Sequence, residues 1–252
     1  MERLCLQDVP QTPLRAFNVH KFFAAMLAVA PCGLYAQSAC SSDGHALPAL
    51  LYERFINADC ERCWTRTGTH APGYTALVVD WIVPGALGDD APLAAAATTA
   101  ALERLQELQR PVPRQADVHI SEVVPPRATA GRLRVAMSPA FNDYVGTGIR
   151  LRLNHHSSSA ARKNELYRYT LILVELVPAA SGGTQVGRNL VRNVLKGEWS
   201  SQNELSKGKH LHWMEARPMR IPDGAKAEQL ALVGWVQNAA GTIVAAAQSV
   251  CR

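Results

Sequence analysis

Cys60-Glu61-Arg62-Cys63 constrains this chain more than any other stretch. It follows a strand-like run, Leu50 to Ile56, and lies downstream of an apolar N-terminal segment. A C-x-x-C pair just past a strand is where thiol–disulfide chemistry is built. There the first thiol can sit at a helix N-terminus, whose partial positive charge stabilises a thiolate. In an oxidising compartment such a pair exists as a disulfide unless a reductant reaches it.

The compartment follows from the N-terminus. Phe22 to Ala30 is apolar but too short to span a bilayer as a helix. Lys21, His20 and Arg15 precede it, and the small residues Ala36 and Ala39 follow. This is the layout of a secretory signal peptide, so residues 1–36 are expected to be removed and 37–252 to be periplasmic or secreted. No later stretch approaches the ~20 apolar residues of a membrane helix. The formal net charge of +5 is spread along the chain without a run of five like charges, which argues against a dedicated nucleic-acid surface.

Past residue 36 the cysteines are Cys40, Cys60, Cys63 and Cys251. An even count suggests two disulfides, with three connectivities possible. Cys60–Cys63 is the local choice and leaves Cys40 with Cys251, one near each end, where domain termini often meet. A bond there would stabilise by roughly 4–5 kcal/mol in the chain-entropy account. A lipid on Cys40 would instead leave Cys251 a free thiol, although Gln37 stands where a lipoprotein signal has an aliphatic residue.

Residues 48–56 and Thr75 to Trp81 read as strands, the second apolar enough to be buried. Ala91 to Gln109 reads as a helix, with four consecutive alanines and then Leu102, Leu105 and Leu108 at helical spacing. Arg110-Pro111-Val112-Pro113 ends it. From Ala116 the pattern turns to short alternating runs at 118–120, 133–137, 149–153, 167–176, 229–237 and 242–247, separated by turn residues. This spacing predicts an antiparallel β-sandwich over 114–252, preceded by an α/β part over 37–113.

Several motifs recur in a fixed order. Glu53 and Phe55 lead into the C-x-x-C, and Val79-Asp80-Trp81 lies on the next strand. Leu87-Gly88-Asp89-Asp90, Gly187-Arg188-Asn189-Leu190 and Val236-Gln237-Asn238 with Gly241 and Ala245-Ala246-Ala247 follow. In this order the chain resembles the exported bacterial family catalogued as domain of unknown function 1223, from about Leu50 to Ala247. The resemblance implies an α+β protein with a thioredoxin-like N-terminal domain before the β-sandwich. It also implies Cys60 as attacking thiolate, Cys63 as resolving thiol and Pro113 as the cis-proline facing them. Asp59 and Trp64 depart from the small residue and the proline that usually flank the two cysteines.

Two functions stay open on these residues. One is a periplasmic thiol–disulfide oxidoreductase that engages another exported protein through thiol exchange or through its β domain. The other is a non-catalytic binding or assembly module in which Cys60–Cys63 is a structural or vestigial staple. Arg54 and Arg62 would lower a thiolate pKa while Asp59 and Glu61 would raise it. No cofactor is implied. A metal is not expected either, because one C-x-x-C supplies two of four zinc ligands, and His155-His156 and His210-Leu211-His212 have no partner at recognised spacing.

Overall fold

The computed structural model describes residues 40–66, 73, 75–125, 131–154, 166–200, 202, 204–205 and 210–251. The export segment and His155-His156 lie outside the described residues. Within them the chain forms β1 (Cys40–Ser41), β2 (Leu50–Asn57), α1 (Glu61–Thr65), β3 (Ala76–Val83), α2 (Thr99–Glu107), β4 (Ala116–Glu122) and β5 (Gly131–Phe141). Then come β6 (Tyr144–Asn154), β7 (Tyr167–Val177), β8 (Arg188–Trp199), β9 (His210–Arg220), β10 (Leu230–Gln237), β11 (Ile243–Gln248) and β12 (Val250–Cys251).

These strands make two sheets, ordered β12-β1-β5-β6-β9 and β11-β10-β7-β8-β3-β2-β4. That overturns the expected thioredoxin-like α/β domain followed by a separate sandwich. The parallel pair β2–β3 is continuous with the β strands of the second half, since β3 meets β8 at Asp80 and Leu190. No break falls at Pro113, because β4 runs antiparallel to β2 over seven registered residues. A thioredoxin-like layer needs helices on both sheet faces, and the described residues hold too little helix to supply them. α1 has five residues, and the predicted 91–109 helix shrinks to α2. Pro92 and a 3₁₀ turn at Ala94–Ala96 hold the alanine run out of the helix, and Thr98 caps α2 by accepting the Ala101 amide at 3.3 Å.

The seven-stranded sheet coils until its two edges touch. Just past β4, Val123 bridges Ile243 of β11, and the Val124 amide donates to the Ile243 carbonyl at 2.8 Å. The enclosed core contains Phe55, Val79, Trp81, Ile172, Val233 and Trp235, with Ala101 and Leu105 of α2 packed against them. The opposite face carries Leu171, Leu173 and Leu232 and packs on Leu133, Val135, Ile149 and Trp213 of the five-stranded sheet. A third cluster under α1 holds Ile56, Ile82, Trp64 and Leu190.

The two sheets pack closely at Gly234. A Cβ there would lie 2.8 Å from Val135 Cγ1 and 3.1 Å from Ile149 Cδ1. Gly234→Ala is therefore expected to cost about 1–3 kcal/mol through overpacking. Urea unfolding checks this, and a neutral result would mean the sheets can separate there without loss.

Candidate functional site: the disulfide turn and its buried ion pairs

β2 ends at Asn57, whose side chain organises the turn into α1. Its Oδ1 accepts the Asp59 amide at 2.9 Å, and its Nδ2 donates to the Pro113 carbonyl at 2.9 Å. The Cys60 amide donates to the Asn57 carbonyl, and the Cys63 amide to the Cys60 carbonyl. Cys60 and Cys63 are joined by a disulfide across this one turn. Cys60 is buried at 9 % exposure, while Cys63 is only partly buried. An attacking first cysteine would show the reverse order. A five-residue helix also adds little dipole at its N-terminus.

Two of the charges around the turn, Arg54 and Asp59, are engaged elsewhere. Arg54 is buried and forks onto Asp80, with Nε to Oδ1 at 2.6 Å and Nη2 to Oδ2 at 2.8 Å. It is therefore not free to stabilise a thiolate. Asp59 accepts the Ala86 amide at 2.8 Å and also faces the Leu87 amide, so the residue that looked out of place before the first cysteine holds the 85–87 loop. Gly85 permits this, since a Cβ there would collide with the Asp59 carboxylate.

Arg188 ties the turn to the sheet. Its Nη2 donates to the carbonyls of Cys63 (3.2 Å), Trp64 (2.8 Å) and Arg66 (3.1 Å), and its Nη1 reaches Asp80 at 3.3 Å. The guanidinium stacks over Trp64, 5.4 Å from the ring centroid, and Trp64 Nε1 donates to the Gly182 carbonyl at 2.7 Å. Burial holds the Arg188 pKa below the usual guanidinium range; Asp80 opposes that shift and neighbouring Arg54 adds to it. This cluster sits where β3 and β8 share a single registered pair. Side chains reinforce that seam: the Asn189 amide donates to Asp80 Oδ2 and Asn189 Nδ2 donates to the Val78 carbonyl, each at 2.8 Å.

A second buried pair lies in the coiled core. Arg104 of α2 forks onto Glu53, with Nε to Oε1 at 2.9 Å and Nη2 to Oε2 at 2.7 Å, and Trp81 Nε1 donates to the same carboxylate at 3.1 Å. Burial would depress the Arg104 pKa, but the Glu53 charge overrides it and holds the group above its ordinary value. Arg104 also borders a cavity of about 550 Å³ with His119, Ser121, Thr170, Lys196 and Gln237. The cations there are neutralised within the protein, Lys196 by Glu103 and Glu107 and Arg168 by Glu198.

Of the residues singled out in the sequence, Cys60 and Cys63 come together as predicted, and Cys40 bonds Cys251 across β1 and β12 with Cα atoms 3.9 Å apart. Peptide bonds among the described residues are all trans, so Pro113 is not a cis-proline and reaches the turn through Asn57. No group of His, Cys, Asp and Glu among the described residues is placed to hold a metal ion. No described helix is long and apolar enough to cross a membrane. Arg188, Arg104 and Glu53 as buried ions escaped the sequence reading. The available signal was a charge inside an apolar run, as in Leu51-Tyr52-Glu53-Arg54-Phe55 and Val78-Val79-Asp80-Trp81.

The fold and site thus define a two-sheet, doubly disulfide-bonded β protein with ion pairs buried in its larger sheet. No family model matches the chain, and no curated protein matches it. Among solved structures it is similar to HBP35 of Porphyromonas gingivalis, at 10% sequence identity and a TM-score of 0.43, over 80% of this chain and 74% of that one.

Proposed function

We propose that this chain is a non-catalytic exported binding or assembly module in which Cys60–Cys63 is a structural staple. The observation that carries this reading is the clamp of Arg188 on the Cys63, Trp64 and Arg66 carbonyls, which fixes the turn to the β3–β8 seam. A catalytic C-x-x-C has to exchange partners at its first sulfur, and here that sulfur belongs to the buried residue. Asp59 beside it would raise the pKa of a reduced thiol. The two disulfides support an oxidising compartment, periplasmic or secreted.

The reduction potential of Cys60–Cys63 tests the proposal. The expected value is below about −300 mV, where structural disulfides lie. A value between roughly −120 and −270 mV, together with a mixed disulfide captured by Cys63→Ser, would make the protein an oxidoreductase instead.

A further inference from the structure

Strand register builds a charge array that the linear sequence conceals. Across β5, β6 and β9, Arg132, Arg152 and His212 stand side by side, and Arg134, Arg150 and Met214 form the next row. Side chains alternate along a strand, so both rows project from the face opposite the buried Leu133, Leu151 and Trp213. Neighbours within a row are about 5 Å apart and the rows about 7 Å apart. Arg132, Arg150, Arg152 and Met214 are exposed; Arg134 and His212 are partly so.

Among the described residues one carboxylate answers this charge. Asp43, just past β1, lies 2.6 Å from Arg134 Nε and 3.5 Å from Arg132 Nη2. Arg150 and Arg152 stand outside the ion pairs of the described residues. Like charges directly opposite on neighbouring strands destabilise a sheet. Arg132 faces Arg152 and Arg134 faces Arg150, so the array works against the stability of the free sheet, and a bound anion would relieve that repulsion. His212 Nε2 is buried without a hydrogen-bond partner. Burial and then the charges of Arg150 and Arg152 push its pKa down, as a local excess of positive potential would.

We propose that this face docks the protein on an anionic membrane surface, with the arginines gripping lipid phosphates. Guanidinium forks match phosphate oxygens in pairs, and Arg132, Arg134, Arg150 and Arg152 supply four of them across the two rows. The two rows carry no Phe, Tyr or Trp on which bases could stack, which disfavours single-stranded nucleic acid. Apolar groups accompany the charge. Met214 is 51% exposed within the array, and Phe141 (77%) and Tyr144 (48%) flank the β5–β6 turn on the same sheet. Cationic and apolar groups on one sheet suit a planar anionic interface. This deepens the binding-module reading and rests on it for the compartment. Because vesicle binding is read with both disulfides intact, it can fail independently of the redox test.

The experiment is co-sedimentation of the oxidised protein with phosphatidylglycerol-containing vesicles and with pure phosphatidylcholine vesicles. Binding is expected to the anionic vesicles alone and to weaken with salt. Arg150→Gln/Arg152→Gln, at exposed positions, should reduce partitioning roughly 25-fold, at about fivefold per arginine. Arg168→Gln, on the other sheet, should leave it unchanged. Absence of binding to anionic vesicles, equal binding by the double variant, or preference for an acidic peptide or oligonucleotide would each overturn the proposal.

Discussion

Asp80→Asn is expected to destabilise the protein by about 3–5 kcal/mol, a large share of a typical 5–15 kcal/mol stability. Asp80 is fully buried and receives Arg54 twice, Arg188 once and the Asn189 amide. Neutralising it leaves two guanidiniums inside the fold without a counter-charge. Removing one partner of such a set costs far more than the set contributes in net terms, because the desolvation of the remaining charges is no longer offset. The damage should also reach the disulfide turn, since Arg188 holds that turn and Asp80 holds Arg188. Arg168→Gln is the contrast. Its pair with Glu198 is more than half exposed on both sides, and its loss should cost less than about 1 kcal/mol. Urea midpoints at unchanged slope report both values. Similar costs for the two variants would mean that the Asp80 cluster is hydrated or readily rearranged, and the seam would then need another explanation.

What the sequence showed and concealed divides along the range of the interactions. β2, β3, β7 and β10 were legible because Leu51, Phe55, Val79, Trp81, Ile172 and Val233 form dense apolar runs. β8 was not. Arg192, Asn193 and Lys196 interrupt its alternation, and the register against β7 shifts between Leu173 and Val174. β9 is an edge strand that tolerates Pro218, a residue that speaks against a central strand. The thioredoxin-like expectation came from the family resemblance, carried by short motifs around a strand that leads into the C-x-x-C. What overrode it is the contact between β3 and β8, whose partners lie far apart in sequence and leave no mark in local periodicity. The candidate site split in the same way. Cysteine spacing pointed to both bonds, whereas the ions that hold the turn come from β2, β3 and β8 and become neighbours only in the sheet.

The second large effect is expected from Cys40→Ala/Cys251→Ala. The bond joins residues 211 apart in sequence, and closing so long a loop in the unfolded chain corresponds to roughly 5 kcal/mol in the chain-entropy account. Cys60–Cys63, with a separation of 3, corresponds to roughly 2 kcal/mol by the same relation. The native state adds to the asymmetry. β1 and β12 have two residues each and pair through two registered positions, so little besides the bond keeps β12 on the sheet. Cys40 is also buried against the core between the sheets, so truncation removes packing as well as the link. Guanidinium unfolding of the two double variants separates these contributions. The Cys40/Cys251 variant should show the larger drop in stability and also a steeper denaturant slope, because its unfolded chain is released to expand and expose more surface. Equal drops with equal slopes would mean that the terminal bond acts only locally on β1 and β12, and that the ends of this chain are held by the sheet itself.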